Sequence, residues 1–341
     1  MGEPRNRVVQ VRRFGDADGL EVIDAALPGP RRGEVRVRVL ASSIEYTDVT
    51  IRRRLYPWVR RRPPFVMGYD VVGEIDQLGD GVSGLRIGDR VADMTVTGAN
   101  AHYCTLRADR VTRVPAGVDS LILSWTTAYQ LLHRAARVQQ GQRVLVVGAA
   151  GAVGQALLVL GKRAGLEMWG GARGAHAALI RGLGATPVDT QREDLTRILP
   201  GGFDAVFDGV GKDGFGPSFA AVKRGGVLCA YGYAGSVKPD RRMLTILMWI
   251  ARLYLWRWSP GGKRAGFFSV NMLRVQHPAW FREDLEWLFN LLATGAIRPR
   301  VAERISFEAI AEAHRSLEAG GLEGRLVLCP GFESGRDQVP L

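Results

Sequence analysis

The sequence is poor in the residues that form cross-links or bind metals. Its 341 residues include three cysteines and five histidines, and Cys104, Cys229 and Cys329 lie far apart with no CxxC spacing. This pattern argues against a disulfide framework and is typical of proteins in a reducing cytoplasm. The N-terminal stretch MGEPRNRVVQVRRF also lacks the apolar run of a secretory signal. We therefore expect a cytoplasmic protein.

Lysine is scarce as well, with five lysines against 41 arginines, yet the formal net charge is +12. A positive field of this size attracts anionic partners, such as phosphorylated cofactors, acyl thioesters, nucleic acid or acidic lipid. A solvated basic surface with no specific partner explains the charge equally well. No RNA-binding motif is present, so we expect no specific nucleic-acid partner.

The chain changes character near Ser124. Before it, short β-branched runs separated by Gly, Pro and Asp predict a mostly β domain. After it, helices alternate with strands, in the order SWTTAYQLLHRAARV, QRVLVVG, AVGQALLVLGKRAG and LEMWGG. This alternation predicts an α/β fold with a doubly wound parallel sheet. A helix, WFREDLEWLFNLLATG, and a last strand, GRLVLCP, follow near the C-terminus.

A glycine-rich turn joins the first of these parallel strands to its helix. Gly148, Gly151 and Gly154 form the pattern G-x-x-G-x-x-G, and Ala152 and Val153 open the helix. Glycine lets the backbone turn tightly and approach a pyrophosphate, which the free N–H groups of the helix then bind. In this strand–turn–helix context the pattern predicts a dinucleotide site rather than a simple tight turn.

The end of the next strand bears on which dinucleotide binds. NAD sites usually place a carboxylate there to hold the ribose 2′-hydroxyl. Here the strand ends in Gly170, Gly171, Ala172 and Arg173, and Glu167 lies at its start. A guanidinium suits a 2′-phosphate, so we interpret the site as one for NADPH, with an ordinary surface role for Arg173 as the alternative.

Several longer motifs carry a family resemblance that covers nearly the whole chain. In order they are ASSIEYTDVTIRRRLYP, PPFVMGYDVVGEI, GVSGLRIGDRV, TTAYQLL, GAAGAVG, FDAVFDGVG and EGRLVLCP. Together they resemble the medium-chain dehydrogenase/reductase superfamily, in its zinc-free quinone oxidoreductase and enoyl reductase branch with VAT-1-like relatives. The resemblance implies a GroES-like β domain (residues 1–122 and 278–341) plus a Rossmann domain (residues 123–277).

The sequence departs from the zinc-dependent members of that superfamily. Those enzymes carry a Gly-His-Glu motif and a cysteine ligand, whereas this chain has Gly68, Tyr69 and Asp70 and no cysteine near Asp48. Zinc needs three or four converging ligands, and none is evident, so we expect no metal. Without a Lewis acid, alcohol oxidation is difficult, but hydride transfer to a conjugated C=C bond or a quinone is feasible.

The resemblance also implies residues that line the reaction site. Tyr56 matches a tyrosine that often faces the substrate, Asp48 matches an aspartate of the family, and Glu45 stands where relatives have asparagine beside the nicotinamide. Tyr46 adds a second phenol, and a phenol is a possible proton donor to an enolate. Alternatively, Asp48 with Thr47 caps the following helix, and Glu45 is a solvated loop charge.

Further residues match cofactor contacts of the family. Thr127, at the start of a predicted helix, matches a threonine near the cofactor, and Arg325 matches a basic residue that contacts phosphate. Asp208 and Gly211 follow a sheet strand near the nicotinamide, and Tyr231 follows the next strand. A helix-start threonine, a turn aspartate and an edge-strand arginine are the structural alternatives.

These observations predict an NADPH-dependent, zinc-independent reductase of an apolar α,β-unsaturated carbonyl or quinone. The alternative is a VAT-1-like cofactor-binding interaction protein with little turnover. The implied partner is a second copy, because Val227, Leu228 and Ala230 lie on a strand predicted to have an open edge. The basic aromatic segment of residues 241–268 is interrupted by Arg252 and Arg257, and its apolar part is too short to span a membrane. It lies in a core or interface, lines a substrate cleft, or contacts an anionic membrane surface.

Overall fold

The computed structural model describes residues 5–116, 118, 122–233, 242–320 and 322–331. The chain divides into two compact units, Met1–Leu123 with Leu285–Leu341, and Ser124–Asp284. The second unit therefore ends at Asp284, within the helix Pro278–Ala293. The sequence predicts the end of this domain at residue 277, directly before that helix.

The first unit is mostly β, as its alternating pattern predicts. In the strand Glu34–Ile44, Val35, Val37 and Val39 are buried, while the polar residues between them face outward. Its elements are β1 (Asn6–Val11), β2 (Leu20–Ala25), β3 (Glu34–Ile44), α1 (Tyr46–Arg52), β4 (Phe65–Val66), β5 (Asp70–Leu78), β6 (Arg90–Met94), β7 (Tyr103–Arg107), β8 (Thr112–Arg113), β15 (Val301–Ile305), α9 (Ile310–Ala319) and β16 (Arg325–Leu328).

Residues from both ends of the chain complete the larger sheet of this unit. Within the described residues the order is β15-β16-β3-β5-β6-β8, with β7 also paired to β3, and a smaller sheet has the order β2-β1-β4. The late strand β16 pairs parallel with β15 and antiparallel with β3, where Leu326 lies opposite Ile44. The first unit is therefore discontinuous in sequence.

A buried arginine joins α1 to α9 in the same unit. The Arg52 side chain has no exposed surface, and its Nη2 lies 2.6 Å from Glu318 Oε1. Its Nε donates to Nδ1 of His314 at 3.3 Å. Burial, with the nearby Arg52 charge, lowers the pKa of His314 to about 3, so the ring is a neutral acceptor at physiological pH.

The second unit has the predicted doubly wound architecture. Its elements, with two helices that cross the division, are α2 (Ile122–Gln130), β9 (Arg143–Val147), α3 (Ala152–Arg163), β10 (Glu167–Ala172), α4 (Ala177–Gly182), β11 (Thr186–Asp189), β12 (Phe203–Asp208), α5 (Gly216–Ala220), β13 (Val222–Ala230), α6 (Arg242–Leu255), β14 (Arg264–Phe267), α7 (Val270–Gln276) and α8 (Pro278–Ala293). In the described part of this unit the strands pair in parallel, in the order β11-β10-β9-β12-β13-β14. The central strands β9 and β12 are almost continuously buried, as expected of a sheet covered on both faces.

The prediction of an open edge at β13 is wrong. Val227, Leu228 and Ala230 pair with β12 on one side and with β14 on the other. After α6 the chain returns to add β14 in parallel, so β13 is an interior strand. The homodimer stays a prediction, and pairing through a sheet edge would involve β14 on this side of the sheet.

Candidate functional site

The glycine turn after β9 has the geometry that a pyrophosphate site needs. Gly148 has φ of +89°, and its N–H donates to Gly171 O at 2.9 Å, which ties the turn to β10. A Cβ at Gly154 would lie 2.3 Å from Gly148 O and 2.7 Å from Ala149 Cα. These contacts are with backbone, which has little freedom to move, so α3 can pack on the turn only with glycine at position 154.

Gly151 has a different part in the same turn. It is exposed and precedes α3, with φ of −75°, and a Cβ there would lie 3.4 Å from Gly148 O, an ordinary contact. The fold therefore tolerates a side chain at this position. Ala152 and Val153 follow in the first turn of α3, where N–H groups have no partner within the helix. This cradle fits a dinucleotide pyrophosphate.

The ends of β10 and β11 would face the ribose. Arg173 follows β10 with an exposed side chain, and Glu167 lies at the other end of the strand. Asp189 ends the neighbouring β11, and its Oδ2 would lie 2.7 Å from a Cβ at Gly174. Its Oδ1 accepts the N–H of Gln191 at 3.0 Å, so this carboxylate stabilises the turn that follows β11. Asp189 is not among the residues selected from the sequence.

Asp208 anchors the loop after β12. Its Oδ1 accepts the N–H groups of Val210 at 2.7 Å and Gly211 at 2.9 Å, and its Oδ2 accepts Ser218 Oγ at 2.6 Å. Burial raises the pKa of Asp208 despite these donors. Tyr231 N–H donates to the Asp208 carbonyl at 2.9 Å. These contacts agree with the alternative interpretation of Asp208 as a structural turn residue. They stabilise the loop that contains Gly211, whose φ is +72°.

Thr127 does not lie at the start of a helix. Helix α2 already includes Ile122, and the buried residues Leu123 and Trp125 continue it, so the predicted start is wrong. The Thr127 side chain is buried within α2, and its hydroxyl has no hydrogen-bond partner among the described residues. A buried hydroxyl of this kind suits contact with a bound polar group. A π-helical turn, Leu131–Ala136, follows directly.

The first unit contains a buried polar cluster around the start of α1. Glu45 precedes the helix, and its N–H donates to Asp48 Oδ2 at 2.9 Å. Asp48 therefore stabilises the start of α1, in agreement with the alternative interpretation of this residue as part of a helix cap. Glu45 is 7% exposed, so the alternative interpretation of Glu45 as a solvated loop charge is wrong. Burial raises the pKa of Asp48 well above its usual value, and the nearby Glu45 and Asp70 charges add to this.

Two tyrosines meet beside these carboxyl groups. The Tyr56 and Tyr69 hydroxyl oxygens lie 2.5 Å apart, and their rings meet edge to face at 82°. Tyr69 is 1% exposed, whereas Tyr56 is half-buried. Burial, reinforced by Tyr56 and the nearby carboxyl groups, raises the pKa of Tyr69 well above its usual value. Tyr69 therefore keeps its proton at neutral pH and can donate a hydrogen bond.

Asp70 and Arg325 lie in the interior of the same unit. Asp70 Oδ1 accepts the Ser43 N–H at 2.8 Å, and its Oδ2 accepts the Ser43 hydroxyl and the Leu123 N–H, each at 3.0 Å. Burial raises the pKa of Asp70, while the nearby Arg325 charge opposes the rise. Arg325 is 3% exposed and lies on β16. Its expected contact with cofactor phosphate stays a prediction.

Comparisons with known proteins agree with this architecture. Residues 31–120 match the alcohol dehydrogenase GroES-like domain, and residues 183–328 match a zinc-binding dehydrogenase domain. The chain belongs to the medium-chain dehydrogenase/reductase superfamily. It lies in the quinone oxidoreductase and enoyl reductase branch.

Individual relatives differ in length and activity. A quinone oxidoreductase of Pseudomonas aeruginosa is 29% identical over 94% of this chain and 99% of its own. A mycocerosic acid synthase-like polyketide synthase of Mycobacterium tuberculosis is 30% identical over 94% of this chain, which spans 15% of that protein's length. The structure of a mycobacterial protein in complex with NADPH is 27% identical, with a TM-score of 0.81 over 95% of this chain and 100% of that chain.

The site of this superfamily member includes residues that the sequence analysis did not select. Tyr69 is such a residue, and the sequence signal for it is a phenol at the position of the Gly-His-Glu histidine. Glu45, Asp48 and Tyr56 all lie near enough to Tyr69 to raise its pKa, and Tyr46, the first residue of α1, is half-buried. The roles expected of these residues stay predictions. Among the residues that the structure describes, no group of three or more His, Cys, Asp or Glu could hold a metal ion.

Proposed function

We propose that the chain is an NADPH-dependent reductase that delivers hydride to an apolar α,β-unsaturated carbonyl or a quinone without zinc. The observation that carries this proposal is the Tyr56–Tyr69 hydroxyl pair, with its 2.5 Å separation. Tyr69 of this pair stands where zinc-dependent members of the superfamily have a histidine. A phenol beside it that gives its proton to a developing oxyanion would replace the stabilisation that a metal provides.

The glycine cradle supports the cofactor part of the proposal. Gly148, Gly151 and Gly154 would hold the pyrophosphate against the start of α3, and Arg173 would pair with the 2′-phosphate. When bound, NADPH supplies a hydride. The likeness to the mycobacterial structure with NADPH agrees with this choice of nucleotide.

The tyrosine pair supplies the proton in this proposal. Hydride addition to a conjugated carbonyl places negative charge on the carbonyl oxygen, which a phenol can protonate. Tyr56, the more exposed partner, gives its proton to that oxygen. Tyr69 keeps its own proton and donates a hydrogen bond to Tyr56, which orients the ring and stabilises the phenolate that forms.

The carboxyl groups beside the pair have a positioning role. Asp48 fixes the start of α1 through the Glu45 N–H, and burial favours its neutral form. A neutral carboxyl group avoids repulsion of the negative charge that develops on the substrate oxygen. The quinone oxidoreductase of Pseudomonas aeruginosa supports the substrate class.

The test is single-turnover NADPH oxidation with a panel of enones and quinones. Tyr56→Phe should lower the rate of the chemical step by roughly 10²–10⁴-fold, the usual contribution of a positioned acid. Tyr103→Phe, a half-buried tyrosine on β7, is the matched control and should react normally. NADPH binding without oxidation by any acceptor would instead support the alternative, a cofactor-binding interaction protein.

A further inference from the structure

Helix α6 has one buried and one exposed apolar face. Ile246 and Leu253 are buried, and Trp249 packs against the core of the second unit. The opposite face is exposed although it is strongly apolar, with large side chains at Leu244 (58%), Leu247 (56%), Met248 (53%), Tyr254 (45%) and Leu255 (70%), followed by Trp258 (88%). Half of the helix surface therefore lies in the core of the second unit, and the other half is exposed.

The exposed residues form one continuous stripe. Leu244, Leu247 and Met248 have the i, i+3, i+4 spacing of a single helix face, and Leu255 repeats it two turns after Met248. Trp258 extends the stripe through the short helical turn Trp256–Trp258. Isolated apolar residues on a surface need no explanation, but a contiguous patch marks an interaction site.

The charge around this stripe is mainly positive. From Arg241 to Arg282 the sequence contains eight arginines and lysines and no aspartate or glutamate. Arg252, Arg257 and Arg264 are exposed. The neighbouring loop, whose Asp213 carbonyl accepts from Arg252 Nη1 at 3.5 Å, carries Lys212 and Asp213, one charge of each sign.

We propose that the exposed face of α6, together with Trp258, docks the protein on an anionic lipid bilayer. An amphipathic helix of this composition lies in the plane of the interface, with its apolar face among the acyl chains and its basic residues near the headgroups. Tyrosine and tryptophan are preferred at that depth. No helix in the described part of the chain is long and apolar enough to cross a membrane, so the contact is peripheral.

The charge pattern favours lipid over a second copy of the chain. A two-fold contact brings the same patch against itself. Here that would place Arg252, Arg257 and Arg264 near their equivalents, with no acidic residue between positions 241 and 282 to pair with them. Like charges facing each other across an interface are unfavourable. An anionic headgroup layer provides the opposite charge.

The test is co-sedimentation of the full chain with vesicles of phosphatidylcholine, with and without phosphatidylglycerol. Binding is expected with phosphatidylglycerol, and added salt should weaken it. The double variant Leu247→Ser with Leu255→Ser should bind at least ~10-fold more weakly, because two apolar side chains no longer enter the acyl region. Arg257→Gln should weaken binding roughly fivefold. Ile87→Ser, which changes an exposed apolar residue of the first unit (66% exposed), is the control and should bind normally.

The outcomes separate the possible occupants of this face. Failure of the wild type to bind phosphatidylglycerol vesicles overturns the proposal, as does equal binding by the wild type and the double variant. A double variant that alters the oligomeric state in sedimentation, with no vesicle binding by the wild type, assigns the face to a second copy. If the double variant does not fold, Trp258→Ser replaces it, because this side chain is almost fully exposed. None of these results depends on reductase activity.

Discussion

Two glycines of the same turn should respond differently to the addition of one methyl group. In Gly154→Ala the new Cβ would lie 2.3 Å from Gly148 O and 2.7 Å from Ala149 Cα, so α3 must move away from the turn. Overpacking of this kind costs about 1–3 kcal/mol. For a unit of this size, Tm should fall by roughly 2–4 °C for each kcal/mol. NADPH binding should weaken as well, because the cradle is distorted.

Gly151→Ala should separate the two effects. Its φ of −75° suits alanine, and the Cβ meets Gly148 O at the ordinary distance of 3.4 Å, so Tm should change little. In the proposed site the methyl group would lie where the pyrophosphate approaches the helix, and one charge-assisted hydrogen bond is worth about 1.5–3 kcal/mol. The Kd for NADPH should therefore rise roughly 10–150-fold.

Calorimetry and fluorescence titration measure the two quantities independently. We expect a clear fall in Tm for Gly154→Ala alone and a weaker Kd for NADPH in both variants. An equal fall in Tm for Gly151→Ala, or wild-type NADPH binding by Gly151→Ala, would contradict these roles for the two glycines.

Three other predictions concern nucleotide choice, pH and metal. Arg173→Ala should raise the Kd for NADPH at least ~10-fold and leave NADH almost unchanged, because only NADPH has the 2′-phosphate; equal losses in the two titrations would remove Arg173 from this role. Burial raises the pKa of Asp48 in the folded state above its ordinary 3.8, so the folded state binds this proton more tightly than the unfolded state. The stabilisation from this proton is lost as pH rises from 3.8 toward the folded pKa. Asp48→Asn should therefore raise Tm relative to wild type at neutral pH, with the difference vanishing below pH 3.8; a parallel pH profile of Tm for the two proteins would contradict this. Exhaustive chelation should leave reductase activity intact, whereas zinc bound in stoichiometric amount and lost together with activity would contradict metal independence.

The sequence predicts the fold well because each unit has a clear periodic pattern. Alternation in β3 and the strand–turn–helix around Gly148 are local signals, and both correspond to observed elements. The edge of the parallel sheet was not predicted correctly. Strand β14 has only four residues and follows a helix of 14, so its short run RAGF gives little β signal.

The sequence indicates which loops carry the polar residues of the candidate site, but not which side chains contact each other. Sequence motifs identify which loops carry polar residues, but pairing across loops depends on tertiary structure. Tyr56 and Tyr69 are 13 positions apart, and their 2.5 Å contact has no local signature. Burial is equally non-local, and it decides that Glu45 is an interior residue rather than a solvated loop charge.

The discontinuity of the first unit sets an order for synthesis and folding. The second unit, Ser124–Asp284, is one contiguous stretch and can fold as soon as it leaves the ribosome. The first unit must wait, because Arg52 meets His314 and Glu318 only after α9 is made, and β3 is paired on one side by β16. During that interval the Ser42–Ile44 end of β3 lacks its β16 partner, and Arg52 lacks two of its partners, His314 and Glu318. Chaperone binding and proteolysis should therefore be concentrated on the N-terminal part of the first unit, which is synthesised first but completes its folding last.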